Sequence, residues 1–244
     1  MSLHHNPRIV TDGLVLALDA ANPKSYPGSG TTWSDVSKSK NNATLINNPS
    51  FTSDNNGGIV FNGSNNYSRP NSPHSYLSSS SLGVTLKFNS YDNSKIVLFG
   101  YRHNTGYSNP TIGAIYIASG TFSASVITYT QVYRIVTGAD MSVGEIYNIV
   151  LNKEVTTGNL DLYINGELSG QQTFDPDAYA QWTGEGSFIG ADILDIGLSS
   201  NTTSSQGWVN YFNGTIYNAN LYNRVLTAAE IKQNFNATRG RFGI

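Results

Sequence analysis

The chain has 244 residues, 39 % of them hydrophobic, with 15 tyrosines and 10 phenylalanines, so it can bury one large core. Charged residues make up only 12 %, about half the usual share, and the net charge of -2 comes without any basic run interleaved with aromatics, which excludes the electrostatic footprint of a nucleic-acid or anionic-membrane binder. The absence of cysteine removes disulfides, thiolate metal sites and cysteine nucleophiles, and no apolar run reaches the length of a membrane-spanning helix. Residues 1–10, MSLHHNPRIV, hold no apolar core of secretory length and read as a flexible arm. Synthesis in a cytoplasm is therefore expected, with residues 11–244 forming a single domain.

Alternation of apolar and polar residues between turn clusters sets the strand pattern. LVLALDA (14–20) opens it, and a long Pro/Gly/Ser/Asn stretch follows in which Trp33 is expected to anchor the loop. GIVFNG (58–63), GVTLKF (83–88), KIVLFGY (95–101), IGAIYIAS (112–119), FSASVITYT (122–130) and VYRIVTG (132–138) continue it. EIYNIVLNKE (145–154), NLDLYI (159–164), SFIGAD (187–192) and the long run WVNYFNGTIYNANLYNR (208–224) complete it. Asn165-Gly166 is the preferred two-residue type I′ hairpin turn, because both central residues need positive φ. Strand signals at this spacing, without alternating helices, predict an all-β, two-sheet antiparallel sandwich of jelly-roll type.

One helix closes the chain. In LTAAEIKQNFNATRG (226–240) Thr227 is the N-cap and Glu230 completes a capping box. Leu226 and Ile231 occupy staple positions, Ile231 and Phe235 share the buried face, Arg239 suits the negative end of the dipole, and Gly240 is the expected C′ residue.

Catalytic patterns are sparse. Glycoside hydrolysis needs two carboxylates at a set separation, yet Glu145, Glu154, Glu167, Glu185 and Glu230 form no alternating cluster. Asp175-Pro-Asp177 and Asp192-x-x-Asp195 are close acidic pairs, but both flank loops where Asp serves turns. His4 and His5 lie in the terminal arm, and His74 and His103 in Ser/Asn-rich loops. No Gly-x-Ser-x-Gly elbow, His-x-x-x-His pair or phosphate-cradling glycine motif occurs, so no catalytic or metal residue and no cofactor is expected. Calcium stays as an alternative through Asp19, Asp35, Asp161 and Asp192 by residue type alone, with turn use the favoured reading. For carbohydrate binding or an interface, the candidates are aromatics beside polar loops: Tyr179 and Trp182 in DPDAYAQWTGEG, and Trp208 and Tyr211 in the strand that follows SSNTTSSQG. Strand packing is the competing reading of Trp208 and Tyr211.

Three stretches together resemble the laminin-G-like type of the concanavalin A-like lectin/glucanase superfamily: GIVFNGSNNY (58–67), LDLYINGELSG (160–170) and FNGTIYNANLYNRVLTAAEIKQNFNATRG (212–240). The opening segment, residues 13–45, further resembles standalone sandwich proteins of tailed phages, marine ones included. The resemblance implies a jelly roll; lectins, hydrolases, lyases and interaction modules all use that fold. Where many laminin-G-like members carry acidic residues in the closing strand, this chain has Tyr217, Asn218 and Asn220, so the resemblance implies no calcium site there. The expected function is that of a non-enzymatic virion structural protein, a capsid decoration or a tail or fibre component. Its expected partners are other virion subunits, host-surface glycan and further copies of itself in a homo-oligomer, with no nucleic acid and no membrane insertion. A carbohydrate-binding lectin domain is the alternative, and a polysaccharide hydrolase or lyase the third reading. Abundant Tyr, Ser, Gly and Asn, the composition of adaptable recognition surfaces, suits the first two.

Overall fold

The computed structural model describes residues 7–70, 79–90, 96–102, 111–118, 121–127, 132–136, 141–175, 187–189, 191–193 and 209–244. Apolar residues at every second position of one strand must share a face, and two sheets placed face to face bury those faces together. Sheet A is built from β1 (Leu14–Asp19), β4 (Ser50–Thr52), β5 (Gly58–Asn62), β7 (Ser80–Phe88), β12 (Ile146–Glu154), β13 (Asn159–Ile164), β14 (Glu167–Thr173) and β18 (Asn213–Tyr222). Its strand order is β14-β13-β12-β7-β18-β5-β4, with β1 pairing β18 as well. Sheet B contains β2 (Thr32–Trp33), β3 (Ala43–Ile46), β6 (Tyr67–Pro70), β8 (Ile96–Arg102), β9 (Thr111–Ala118), β10 (Thr121–Ile127), β11 (Val132–Val136) and β15 (Ser187–Ile189), in the order β11-β10-β9-β8-β15-β6-β3-β2. A two-stranded ribbon joins β16 (Ala191–Ile193) to β17 (Val209–Tyr211). Every pairing among these strands is antiparallel, as a sandwich reached by hairpins and Greek-key crossings requires.

The core lies between the sheets. Leu82, Val84, Leu86 and Phe88 of β7 alternate inward beside Ile149 and Leu151 of β12 and Ile216, Ala219 and Leu221 of β18, and they meet Ala43, Leu45, Ile115 and Phe122 from sheet B. The two β18 parities are reconciled by a register shift between Ile216 and Asn218, a bulge that turns the strand over. Trp33 is fully buried in this core, as expected of a loop anchor.

Several segments depart from the alternation pattern. β3 and β6 lie in stretches with little sequence signal, and β14 is almost wholly exposed and polar, so no hydrophobic alternation marks it. The 208–224 run, expected as one strand, divides at Phe212: β17 pairs with the ribbon and β18 enters sheet A. Phe212 itself is fully buried against Phe61, ring centroids 6.2 Å apart. The opening polar loop is ordered by Asp35, a buried carboxylate that accepts the N–H groups of Ala17, Ser37 and Asn41 and the Ser37 hydroxyl, each at 2.7–2.8 Å.

The helix α1 (Ala228–Thr238) starts as expected, with Thr227 and Glu230 forming a reciprocal capping box. Ser81 and Asn152 on the outer face of sheet A fix its entry: Leu226 N–H donates to Ser81 Oγ (2.8 Å), and Leu226 C=O accepts from Asn152 Nδ2 (2.8 Å). Leu226 and Ile231 then pack with Val150, Tyr163 and Tyr222, so the staple covers the outer face of sheet A. The helix stop differs from the expected glycine. Arg239 keeps right-handed geometry and a 3-10 turn, Arg239–Arg241, follows; the positive φ falls on Gly243 (φ 72), not Gly240. The chain tightens instead of reversing because Arg241 is drawn back to the body, donating to Asn55 O, Gly57 O and Asp19 Oδ1. At Asn165-Gly166 both residues have positive φ (51 and 78), the geometry the hairpin requires.

Candidate functional site

Ala43 and Leu45 of β3 point into the core, so the residues between and beyond them, Thr44 and Ile46, face outward from sheet B. The β3–β6 register places Thr44 opposite Arg69 and Ile46 opposite Tyr67. Tyr67 and Arg69 therefore stand on the same outer surface, while Ser68 and Pro70 turn inward. Over this surface comes Tyr211, the last residue of β17. Its ring lies 6.5 Å from that of Tyr67 at 32°, and the two tyrosines form a small hydrophobic cluster with Ile46, separate from the core.

Around the buried Tyr67 ring the patch is half-exposed: Thr44, Ile46, Arg69 and Tyr211 each keep part of their surface in water. The Arg69 guanidinium sits 5.7 Å from the centre of the Tyr67 ring, within cation–π range, and its Nη2 donates to Tyr67 Oη (3.5 Å). Burial pushes the Tyr211 phenol above its ordinary pKa, with the neighbouring Tyr67 adding to it, so the hydroxyl stays protonated and able to donate. Two asparagine-rich turns border the patch. Asn47 and Asn48 adopt left-handed backbone (φ 58 and 54), and the Asn47 amide donates to Asn65 O (2.9 Å). Asn62 Oδ1 gathers the N–H groups of Ser64 and Asn65 at 2.9 and 3.1 Å, and Asn66 Nδ2 donates to Asn47 O (2.6 Å). The result is a shelf of aromatic and aliphatic surface with a planar cation at its centre and amides at its rim. Such a shelf can stack the C–H face of a sugar ring and hydrogen-bond its hydroxyls.

Of the aromatics singled out in the sequence, Tyr211 joins this patch; Tyr179, Trp182 and Trp208 lie outside the described residues. Tyr67, Arg69, Ile46 and Asn47 escaped the sequence reading because β3 and β6 are too short to show periodicity. The alternation in ATLI (43–46), with Ala43 and Leu45 buried, was the available signal.

Several of the described carboxylates are engaged elsewhere. Asp19 pairs with Arg241 (2.7 Å), Asp161 Oδ1 accepts from Gln171 (2.9 Å), and Asp35 is saturated by the donors of its own loop. Asp12 and Glu230 both hold Arg224, and Glu167 pairs with Lys232. The bidentate Arg224 contact, helped by the Thr227 N–H, holds the Glu230 carboxyl down at about 2. Among the described residues no three His, Asp or Glu side chains converge as a metal site, and the Asp192 side chain lies outside them.

The laminin-G-type model described as the concanavalin A-like lectin/glucanases superfamily matches residues 61–232, more than two thirds of the chain. No curated protein matches the sequence. In architecture the chain is similar to the Trypanosoma rangeli sialidase in complex with sialic acid (TM-score 0.68, 17 % identity), covering 98 % of this chain and 36 % of the sialidase. It is also similar to domain 4 of AbnA, a GH43 extracellular arabinanase from Geobacillus stearothermophilus, in complex with arabinotriose (TM-score 0.65, 16 % identity), covering 92 % of this chain and 99 % of that domain. The chain thus spans about a third of the sialidase and nearly the whole of the arabinanase domain. At these identities the likeness is one of fold.

Proposed function

Because the chain belongs to the concanavalin A-like lectin/glucanases superfamily, we propose that it is a non-enzymatic recognition module that binds glycan on the outer face of sheet B. The observation that carries this reading is the Tyr67–Arg69–Tyr211 shelf, an aromatic and cationic platform rimmed by asparagines on a surface otherwise short of charge. The engagement of Asp19, Asp35, Glu167 and Glu230 in structural contacts supports a binding role over hydrolysis. The similarity to a whole arabinanase domain solved with arabinotriose supports carbohydrate as the ligand class.

The sequence resemblance to tailed-phage sandwich proteins supports placing such a module on a virion, as a capsid decoration or a tail or fibre component. There the shelf would meet a host-surface glycan while other faces join neighbouring subunits or further copies of the chain. Immunogold labelling of purified particles would locate it, and its absence from every particle would remove this second reading.

The binding reading is tested with an oligosaccharide array and the Tyr211→Ala protein. Tyr211 is partly buried at the edge of a small cluster separate from the core, so its truncation should leave the fold intact while weakening binding by roughly tenfold, the scale of one lost stacking contact. Equal binding by Tyr211→Ala and the parent protein would sink the assignment of the shelf.

A further inference from the structure

A small cavity lies between the closing helix and the outer face of sheet A. Gly83 of β7, Asn148 of β12 and Asn218 and Asn220 of β18 form its floor, and Asn234 and Thr238 of the helix roof it. Its volume is about 20 Å³, room for one water molecule, which needs roughly 10–15 Å³.

Strand alternation makes this floor polar. Leu82, Val84 and Leu86 point into the core, so Gly83 and Thr85 between them face the helix. Asn218 and Asn220 flank the inward Ala219 and face the same way. The register sets Asn148, Thr85 and Asn218 side by side across three strands, with Asn220 next to Gly83. Most of these polar groups have partners. Asn148 Nδ2 donates to Thr85 Oγ1 (2.9 Å). Asn234 Oδ1 accepts the Val10 N–H (2.7 Å), and its Nδ2 donates to Tyr222 Oη (3.1 Å). The Thr238 hydroxyl donates to Asn234 O (3.1 Å) and keeps its lone pairs. Asn218 is the exception. It is only 6 % exposed, yet its side-chain amide makes no hydrogen bond among the described residues, and neither does that of the half-buried Asn220. A buried amide without a partner carries its full desolvation cost. Gly83 leaves the space beside it open: a Cβ there would meet Val150 Cγ2 at 3.6 Å, an ordinary contact, so crowding does not demand glycine.

We infer that this cavity is a binding site for one ordered water molecule, which completes the Asn218 amide and joins sheet A to the last turn of the helix. Water fits because it both donates and accepts. It accepts from Asn218 Nδ2 and donates to Asn220 Oδ1 and Thr238 Oγ1, about the number of bonds that a buried water makes. No charged side chain borders the cavity, so an ion there would lack a counter-charge. The helix is thus held by apolar packing of Leu226 and Ile231 at its start and by this water at its end. The site does not depend on the sheet B shelf.

The test is water-selective NOE spectroscopy on the isotope-labelled full chain, read at the Gly83 Hα protons and the Thr238 methyl, which do not exchange with solvent. Cross-peaks from a long-lived water to both groups are expected in the parent protein. Asn218→Leu, close in size, removes the amide and should abolish them. Gly83→Ala puts a methyl group where the water sits. In the parent it should lower the melting temperature, because the Asn218 amide loses its partner. In the Asn218→Leu background it should not, because it then fills a dry void. Absence of the Gly83 cross-peak in the parent overturns the inference, whatever the variants do to folding. So does a rise in melting temperature with Gly83→Ala that is the same in both backgrounds.

Discussion

Lys153 shows how one residue can work against the fold that contains it. It sits on the inward parity of β12, after Ile149 and Leu151, and is fully buried. Desolvation lowers its pKa from 10.5 to about 7. Between those values the unfolded chain binds a proton that the folded chain refuses. Stability therefore falls as the pH drops from about 10 towards 7 and levels off below that. Lys153→Met keeps the volume and removes the titration. Its stability relative to the parent should therefore rise from pH 10 down to pH 7. Chemical denaturation across that range measures it; a difference that does not vary with pH would contradict the account. Nothing in the sequence marked this lysine, because a single charge at the end of a strand looks like a solvated terminus. Asp35 was equally hidden: its residue type suggested a turn or a calcium ligand, and only the fold shows four donors closing on it.

At the scale of elements, legibility followed amphipathic contrast. The capped helix was readable because capping, staple and buried face are local patterns, and each is present in the structure. Thr227→Ala should cost about 1 kcal/mol, the usual worth of an N-cap. The helix stop was not readable, since Arg241 acts over a distance in sequence that no local pattern spans. Its guanidinium joins Asp19, Asn55 and Gly57 and lies over the rings of Tyr217 and Phe242. Because that side chain is only 13 % exposed, Arg241→Ala should lose about 2–3 kcal/mol, more than the cap, through carbonyl groups left without a charged donor. Thermal unfolding of the two variants side by side checks the order; a larger loss for Thr227→Ala would mean the latch contributes little. β3 and β6 were missed for a related reason, and β14 was marked only by its hairpin turn. Short or polar strands gain their structure from pairing with neighbours, and pairing leaves no trace in periodicity.

For the molecule as a whole, the two outer faces have different fates. Sheet A is closed by α1 and by the chain at Arg8–Val10, where Val10 N–H donates to Asn234 Oδ1 and Tyr222 Oη donates to Val10 O. Asn148, Asn218 and Asn220 of sheet A line a small cavity beneath the helix together with Val150, Tyr222 and Leu226. Sheet B instead presents Thr44, Ile46, Arg69 and Tyr211 to solvent around a buried tyrosine. Among the described residues, the closing helix covers the outer face of sheet A, whereas the shelf lies on the outer face of sheet B at β3 and β6, beneath the end of β17. The superfamily was legible from the closing strand and helix, whereas the shelf assembles from β3, β6 and β17, which lie far apart in the chain and carry no shared motif. The most direct measurement is an amide-shift map of the protein with an array-selected oligosaccharide. The account predicts saturable shifts centred on residues 44–47, 67–69 and 211, with the helix amides unmoved. Binding confined to the helix face of sheet A, with those residues unmoved, would contradict it.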